Sequence, residues 1–457
     1  MRRIYFFVCI IVLCCINSAQ AHLPCPVNGR GVLQCDAEVK SSYKKGVSLH
    51  FDVNSREESY AARMLTKSLQ ERGYVINANS GDYSIKFLID KRRYDAEAFA
   101  IIPEGNVIKI IGGDYRGLIY GALSLSEDLR NEILLDNAVA RSEKPKLMLR
   151  AVKYDLPWDT YRHSEALNLH DETCRDPKYW EAFLDMMAEN RLNALSLWNL
   201  HPYPFMIIPK NYPEASPFTK EEFKEWQKLF QSIIGMAAER AIETYLIPFN
   251  IFVTPEFSVA HNVAMDNLDH HFYVRGETAQ IVKDYTRECV TQVLEEYPDL
   301  TGFGLTLGEG MAGMTPQERE AWMTETIIEG MRRANRPSKL VHRVPFSSTT
   351  ESLGNTSVET ERITRASIER EADMGFTEGP IFADFKFNWS HSLSTPKLIK
   401  VHGGPLYDTY FNPVSDKYKV TWTARNEDIF CLRWGVPEFV GKNGADCYSK
   451  NGHAVTV

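Results

Sequence analysis

A single acidic residue stands between two glycines directly after an apolar segment of the chain. Gly308-Glu309-Gly310 follows residues 301–307, whose alternating apolar composition predicts a buried β-strand. A carboxylate there has little reason to serve packing, and the glycines would leave its approach open to a substrate. The chemistry it could perform is general acid catalysis, because partial desolvation favours the protonated carboxyl group. Glu309 is therefore the leading candidate for a catalytic acid.

Paired carboxylates are what the cleavage of a glycosidic bond normally requires, one as general acid and one as base or nucleophile. Three residues on or just past later predicted strands are admissible as the second carboxylate, namely Asp384, Glu427 and Asp428. The sequence does not give their distances from Glu309. The choice among them therefore stays open, and so does the stereochemical outcome.

Other polar and aromatic residues gather at the ends of predicted strands, as expected for a sugar-binding rim. The candidates for substrate binding are Asp155, Trp158, Trp198, Asn199, His201, Asn250, Lys386, Trp389, His391, Trp422 and Arg425. Indole rings stack on pyranose rings, and charged or amide groups bind hydroxyls. A packing role for the tryptophans and an ion pair for Arg425 stay open as alternatives. The histidines lack partners at metal-ligand spacing, so we expect no metal ion and no cofactor.

The elements that must position these residues alternate between apolar strands and amphipathic helices. The predicted strands are 148–156, 192–198, 244–252, 301–307, 340–346, 381–387 and 418–423. Thr219-x-x-Glu222 and Thr315-x-x-Glu318 are capping boxes that open two of the intervening helices. Repeated β-then-α units predict a (β/α)₈ barrel of the TIM type, whose chemistry lies at the carboxyl ends of the strands. A doubly wound open sheet is disfavoured because no glycine-rich phosphate loop follows the first strand.

The sequence predicts three regions in the chain. Residues 1–21 read as a signal peptide, with two arginines, an apolar run and the cleavage pattern Ala19-Gln20-Ala21. Residues 22–140 predict a small α+β domain with a hairpin at 103–106 and a structural role. Residues 141–457 predict the barrel. No helical pattern follows residue 441, so an eighth strand and its helix are expected to be missing and the barrel C-terminally incomplete.

The charge and composition of the chain exclude some classes of binding partner. The net charge is −8, the isoelectric point is about 5.9, and no basic block occurs. Nucleic acid and anionic membrane surfaces are therefore poor partners. With the leader, this predicts a secreted or periplasmic protein that acts on carbohydrate without stable membrane insertion. The oligomeric state is not indicated.

Several stretches resemble known glycoside hydrolases. Residues 97–102 and 108–121 are similar to the small domain that precedes the barrel in α-glucuronidases and β-N-acetylhexosaminidases. Residues 193–199, 244–250 and 297–304 resemble glycoside hydrolase family 67, the α-glucuronidases. The resemblance implies an α-glucuronidase-like hydrolase with Glu309 as the general acid after the fourth strand.

Two departures from these families leave alternatives open. Family 67 implies carboxylates after strands six and seven, but residues 386–391 contain no acid, and after strand seven only Glu427 or Asp428 is available. Hexosaminidases have aspartate before the catalytic glutamate, where this chain has Gly308. A non-catalytic carbohydrate-binding pseudoenzyme and a β-hexosaminidase-like glycosidase are therefore the alternative functions.

Overall fold

The computed structural model contains a small sheet domain followed by a parallel barrel. It describes residues 45–77, 81–159, 165–263, 278–308, 310–344, 357–386, 407–411, 413, 415–423 and 454–456. The predicted signal peptide lies outside the described residues. So do six of the predicted site residues: Glu309, Trp389, His391, Arg425, Glu427 and Asp428.

The N-terminal domain is a six-stranded sheet with two long helices, which confirms the predicted α+β layer. Its strands are β1 (Gly46–His50), β2 (Val75–Ile76), β3 (Tyr83–Ile89), β4 (Phe99–Glu104), β5 (Val107–Gly112) and β6 (Arg141–Glu143), in the order β2-β1-β3-β5-β4-β6. Its helices are α1 (Arg56–Glu71) and α2 (Tyr115–Arg130), which pack against each other. Strand β6 pairs with β4, so this sheet continues past the boundary predicted at residue 140.

Local sequence signals account for the ends of these elements. Ser55 and Asp114 cap α1 and α2, each accepting a hydrogen bond from a backbone N–H of the first turn. Strands β4 and β5 pair antiparallel with Glu104 opposite Val107, as the hairpin pattern predicts. Gly117 lets α2 approach the chain before β4, because a Cβ atom there would lie 2.2 Å from the carbonyl oxygen of Ala98.

The second domain is a closed barrel of parallel strands surrounded by helices. The strands are β7 (Arg150–Asp155), β8 (Ala194–Asn199), β9 (Glu243–Pro248), β10 (Gly302–Leu305), β11 (Lys339–Arg343), β12 (Ile381–Lys386), β13 (Tyr418–Thr423) and β14 (Ala454–Thr456). The helices are α3 (Glu165–Arg175), α4 (Pro177–Glu189), α5 (Tyr203–Met206), α6 (Lys220–Glu239), α7 (Pro255–His261), α8 (Gln280–Glu296), α9 (Pro316–Met323), α10 (Glu329–Arg333) and α11 (Val358–Ala372). The seven strands predicted from the sequence all form, and both capping boxes are present.

The eighth position of the barrel differs from the sequence-based expectation. Strand β14 lies between β13 and β7, with Val455 paired to Trp422 on one side and to Arg150 on the other. The expectation that this strand is missing is therefore wrong. Three residues are too few to show the alternation by which the other strands are recognised.

Side chains alternate between the inside of the barrel and the layer between strands and helices. The lower interior is apolar and includes Ala151, Ala194, Tyr245, Ile247 and Phe382. Toward the carboxyl ends of two strands the same alternation leads to charged residues, from Ala151 to Lys153 and Asp155 on β7 and from Phe382 to Asp384 and Lys386 on β12. Among the described helices, none has the length and apolar composition needed to cross a membrane.

The N-terminal domain contacts the amino-terminal end of the barrel through an ion network. Glu97 pairs with Arg116 at 2.7 Å and with Arg150 of β7 at 2.8 Å. Arg116 also reaches Glu243 of β9 at 3.2 Å, and Glu243 pairs with Lys339 of β11 at 2.6 Å. A cavity of about 710 Å³ lies at this interface. Because barrel chemistry occurs at the opposite end, we assign this cavity to the domain interface.

Candidate active site

Charged side chains point into the barrel at the carboxyl ends of three strands. Strand β7 contributes Lys153 and Asp155, which share a face because they are two residues apart. Strand β12 contributes Asp384 and Lys386 in the same way, and Arg343 of β11 is the register partner of Asp384. The structure thus brings together three of the predicted site residues, Asp155, Asp384 and Lys386, and adds two cations.

The indole of Trp198 on β8 contacts two of these cations. The Lys153 ammonium lies 4.5 Å from its ring centroid and the Arg343 guanidinium 5.1 Å from it. Lys153 also pairs with both oxygens of Asp155, at 2.6 and 2.7 Å. Cation–π contacts of this kind hold charged groups in place. The sequence predicts that Trp198 binds sugar, whereas these contacts give the indole a role in positioning cations.

Asp384 is buried at the barrel mouth and lies beside hydroxyl donors. Thr421 Oγ1 is 3.1 Å from Asp384 Oδ1, and Thr423 Oγ1 is 2.9 and 3.0 Å from its two oxygens. Hydrogen bonds to a carboxylate stabilise its ionised form. This environment suits a base, a nucleophile or a stabiliser of positive charge better than a proton donor.

The backbone on either side of Glu309 explains its glycine neighbours. Gly308 and Gly310 have φ angles of 103° and 75°, in the left-handed region that favours glycine. A Cβ atom on Gly310 would also lie 2.4 Å from the carbonyl oxygen of Asn250. The glycines are therefore required by the backbone, and not only by access to a substrate as the sequence suggests. The role of Glu309 as acid stays a prediction.

Asn250 connects two loops at this end of the barrel. Its Nδ2 donates to the carbonyl oxygen of Thr306 at 2.6 Å and lies 3.1 Å from Thr306 Oγ1. Thr306 directly follows β10 and precedes the Gly-Glu-Gly segment. Asn250 therefore anchors the segment that carries Glu309, a supporting role that the predicted contact with substrate does not include.

Trp158, Asn199 and His201 form a packed corner behind the barrel mouth. The Trp158 ring lies 4.9 Å from the Trp226 ring, and Asn199 Nδ2 donates to the Trp158 carbonyl oxygen at 2.6 Å. His201 Nε2 is 2.9 Å from Tyr285 Oη, and burial lowers the pKa of His201 to about 3. These contacts pack the three side chains against their neighbours, and their binding of substrate stays a prediction.

Trp422 points away from the interior. It alternates along β13 with Thr421 and Thr423, which face Asp384 inside the barrel. Its ring packs 5.3 Å from that of Phe385 and stacks on Phe411 with an interplanar angle of 7°. The side chain that the sequence assigns to sugar binding therefore belongs to the outer layer.

Two cations of the cluster, Lys153 and Arg343, were not among the residues predicted to form the site. Each lies at a strand position that alternation places inside the barrel. A charged residue at such a position is costly unless it is paired, and this cost is the signal that could have identified both residues.

Asp159 is a further acidic residue near the mouth that carried no sequence signal. It has a φ of 47°, and its Oδ2 accepts a hydrogen bond from the backbone N–H of His201 at 2.8 Å. Burial raises the pKa of Asp159 to about 7, and this hydrogen bond only partly opposes the effect. A carboxyl group that titrates near neutral pH can exchange protons under physiological conditions.

Comparisons with known proteins define the fold. Neither a protein-family model nor a curated protein matches the sequence. Among solved structures, a GH138 enzyme targeting pectin rhamnogalacturonan II matches 90% of this chain and 46% of its own, with a TM-score of 0.73 and 24% identity. The chain therefore spans about half the length of that enzyme.

Two further structures share the architecture at lower similarity. A GH115 4-O-methyl-α-glucuronidase with specificity for decorated arabinogalactans gives a TM-score of 0.51 and 12% identity over 91% of this chain and 54% of its own. A β-N-acetylhexosaminidase from Bacteroides fragilis gives 0.50 and 11% over 92% of this chain and 82% of its own. The fold is thus that of glycoside hydrolases with a TIM-type barrel, and family 67 is not singled out.

Proposed function

We propose that the chain is a glycoside hydrolase for a sugar that bears a carboxylate, α-glucuronidase-like in reaction. The observation that carries this proposal is the charge at the barrel mouth. Lys153, Arg343 and Lys386 place three cations there, beside the carboxylates of Asp155 and Asp384. A substrate carboxylate can pair with a cation at such a site, whereas a neutral sugar offers no charged partner.

Arg343 is the best-placed ligand for a substrate carboxylate. Its planar guanidinium can donate two parallel hydrogen bonds to a carboxylate. The contact with Trp198 and the register with Asp384 restrict where that group lies. Lys386, two residues beyond Asp384 on the same face, adds a second cation at the rim.

The catalytic roles follow from the two carboxylates. Glu309 would donate its proton to the glycosidic oxygen as the bond breaks. Asp384, which the threonine hydroxyls favour in its ionised form, would attack the anomeric carbon or activate a water molecule. Glu427 and Asp428 stay alternatives for this second role.

A panel of aryl glycosides tests the proposal. Nitrophenyl glycuronides and the matching neutral glycosides are assayed with the wild type and with Lys386→Met and Arg343→Lys. We expect turnover of a glycuronide, and a loss of about 10- to 100-fold in kcat/KM in each variant, since a hydrogen bond to a charged group contributes about 1.5–3 kcal/mol. Activity on neutral glycosides should change little.

Lys109→Met is the matched control, because Lys109 pairs with Glu104 on the exposed side of the N-terminal domain. It should match the wild type on every substrate. Binding of uronides by calorimetry without turnover would support the carbohydrate-binding alternative. Turnover of neutral glycosides in preference to glycuronides would refute the acidic substrate.

We also propose that the protein is secreted after cleavage of residues 1–21. The support is the sequence of the leader, with its arginines, apolar run and Ala19-Gln20-Ala21. N-terminal sequencing of protein recovered from the medium or periplasm should begin at His22. An intact N-terminus on cell-retained protein would contradict secretion.

A further inference from the structure

A second cluster of ionisable groups lies outside the barrel, away from the proposed sugar site. His342 projects from the outer face of β11, Glu320 comes from α9 and Glu371 from α11. Their exposed fractions are 0%, 4% and 0%. Two carboxylates and an imidazole therefore meet in the buried layer between the strand and the helices.

The spacing of the three side chains matches that of ligands around a small metal ion. His342 Nε2 lies 3.4 Å from Glu320 Oε2 and 3.8 Å from Glu371 Oε2. One ligand atom from each residue can be chosen so that all lie within 4.8 Å of one another. Tetrahedral zinc with bonds of about 2.0–2.2 Å places its ligand atoms roughly 3.3–3.6 Å apart. Only small side-chain shifts would close this shell.

The imidazole is oriented for coordination through Nε2. His342 Nδ1 is 2.9 Å from the backbone carbonyl oxygen of Arg343, which can only accept a hydrogen bond. Nδ1 must therefore carry a proton, and in the neutral ring the Nε2 lone pair faces the carboxylates. Metal-binding histidines commonly have their second nitrogen fixed in this way.

The carboxylates also have oxygens without hydrogen bonds. Thr364 Oγ1 donates to Glu320 Oε1, but Glu320 Oε2 and both oxygens of Glu371 find no donor among the described residues. A buried carboxylate without donors is strongly destabilising. A cation bound at this point would satisfy these oxygens together.

The charges of the three side chains suit a divalent ion. With neutral His342 and ionised Glu320 and Glu371 the cluster carries two negative charges, which one divalent ion cancels.

We propose that Glu320, His342 and Glu371 bind one zinc ion, with a water molecule in the fourth position. The ion would link α9 and α11 to β11. Because His342 also donates to the carbonyl of Arg343, it would fix the strand end that carries this proposed substrate ligand. The sequence shows no such site because the three ligands come from separate elements.

Metal analysis of the full chain tests this proposal. Protein produced with zinc in the medium is dialysed against metal-free buffer, and its metal content is measured by mass spectrometry. We expect about one zinc ion per chain, a fall in Tm when a chelator removes it, and recovery of Tm on adding zinc alone. His342→Gln and Glu371→Gln should each lose the ion.

His261→Gln is the matched control, since His261 pairs with Glu214 at 2.6 Å in a more exposed position where zinc could bind adventitiously. This variant should keep its zinc. If either cluster variant fails to fold, wild-type protein reconstituted with cobalt tests the metal site instead. A tetrahedral visible spectrum and an anomalous-scattering peak between the three side chains would support the site.

Two results would overturn the assignment. One is a wild-type protein that retains well below one zinc ion per chain and whose Tm does not respond to zinc. The other is an anomalous peak located elsewhere, or zinc content that falls in His261→Gln and not in the cluster variants. Neither result depends on glycosidase activity, so the zinc site and the proposed function fail independently.

Discussion

Glu97→Gln should weaken the attachment of the N-terminal domain to the barrel. The Glu97 carboxylate pairs with Arg116 at 2.7 Å and Arg150 at 2.8 Å, and it accepts a hydrogen bond from Asn193 Nδ2 at 2.7 Å. Glutamine keeps the shape of the side chain but removes its charge. Two largely buried guanidinium groups, with exposed fractions of 17% and 13%, then lose a counterion.

The expected cost follows from that environment. Removing one partner of a buried ion pair destabilises a protein by about 3–5 kcal/mol. Arg116 keeps its contact with Glu243 at 3.2 Å, and Arg150 still donates to backbone carbonyls. We therefore expect a loss near the lower end, about 3 kcal/mol in the free energy of unfolding.

Urea unfolding at pH 7, followed by two probes, measures this loss. Every tryptophan of the chain lies at or after residue 158, so fluorescence reports on the barrel, whereas far-ultraviolet circular dichroism reports on both domains. The control is Glu104→Gln. Glu104 is 53% exposed and pairs with Lys109, so its loss should cost less than about 1 kcal/mol.

The pH dependence gives a second check on Glu97. Burial would raise the pKa of Glu97, but Arg116 and Arg150 together hold it below its ordinary value. Its stabilising effect is therefore present above the unfolded pKa of about 4.3 and is lost as the pH falls through the lower folded pKa. Unfolding of Glu97→Gln at the same urea concentration as the control, or a stability difference between the two that grows in acid, would contradict this role of Glu97.

Three further changes have defined outcomes. Asp159→Asn should raise the free energy of unfolding by at least about 1 kcal/mol at pH 8 and change it little below about pH 4. The reason is that the buried wild-type carboxyl group has a pKa of about 7, so the wild-type protein loses stability as the pH rises between these limits. Melting temperatures of the two proteins that differ by the same amount across this pH range would contradict the prediction. Gly310→Ala should cost about 1–3 kcal/mol, measurable by urea unfolding, since its φ is 75° and the new Cβ atom would meet the Asn250 carbonyl; an unchanged midpoint would argue against this backbone. Asp384→Asn should lower kcat at least about 100-fold without loss of fold, and near-normal turnover would exclude it as the second carboxylate.

Local pattern was sufficient to predict most of the architecture. Thr219 with Glu222 and Thr315 with Glu318 form the two predicted capping boxes because all their contacts lie within one helical turn. The strands were recognisable because the apolar pattern that marks them also lies within a few consecutive residues. Asp155 was predicted to lie at a strand end, and β7 ends at that residue.

The orientation of side chains could not be predicted as well. Trp198 and Trp422 both lie at strand ends, yet one faces the cations inside the barrel and the other the helical layer. The sequence shows alternation but not which phase points inward. Glu97 shows a second limit, because its partners come from another domain and no spacing in the chain connects them.

We propose that the carboxyl ends of the barrel strands form a glycosidase site with Glu309 as its acid. The most direct test compares Glu309→Gln with wild type on a uronate-containing disaccharide and on the nitrophenyl glycuronide. We expect a loss of about 10²–10⁴-fold on the disaccharide and a much smaller loss on the nitrophenyl substrate, whose leaving group needs little protonation. Turnover of the disaccharide within about threefold of wild type, or equal losses on both substrates, would contradict it.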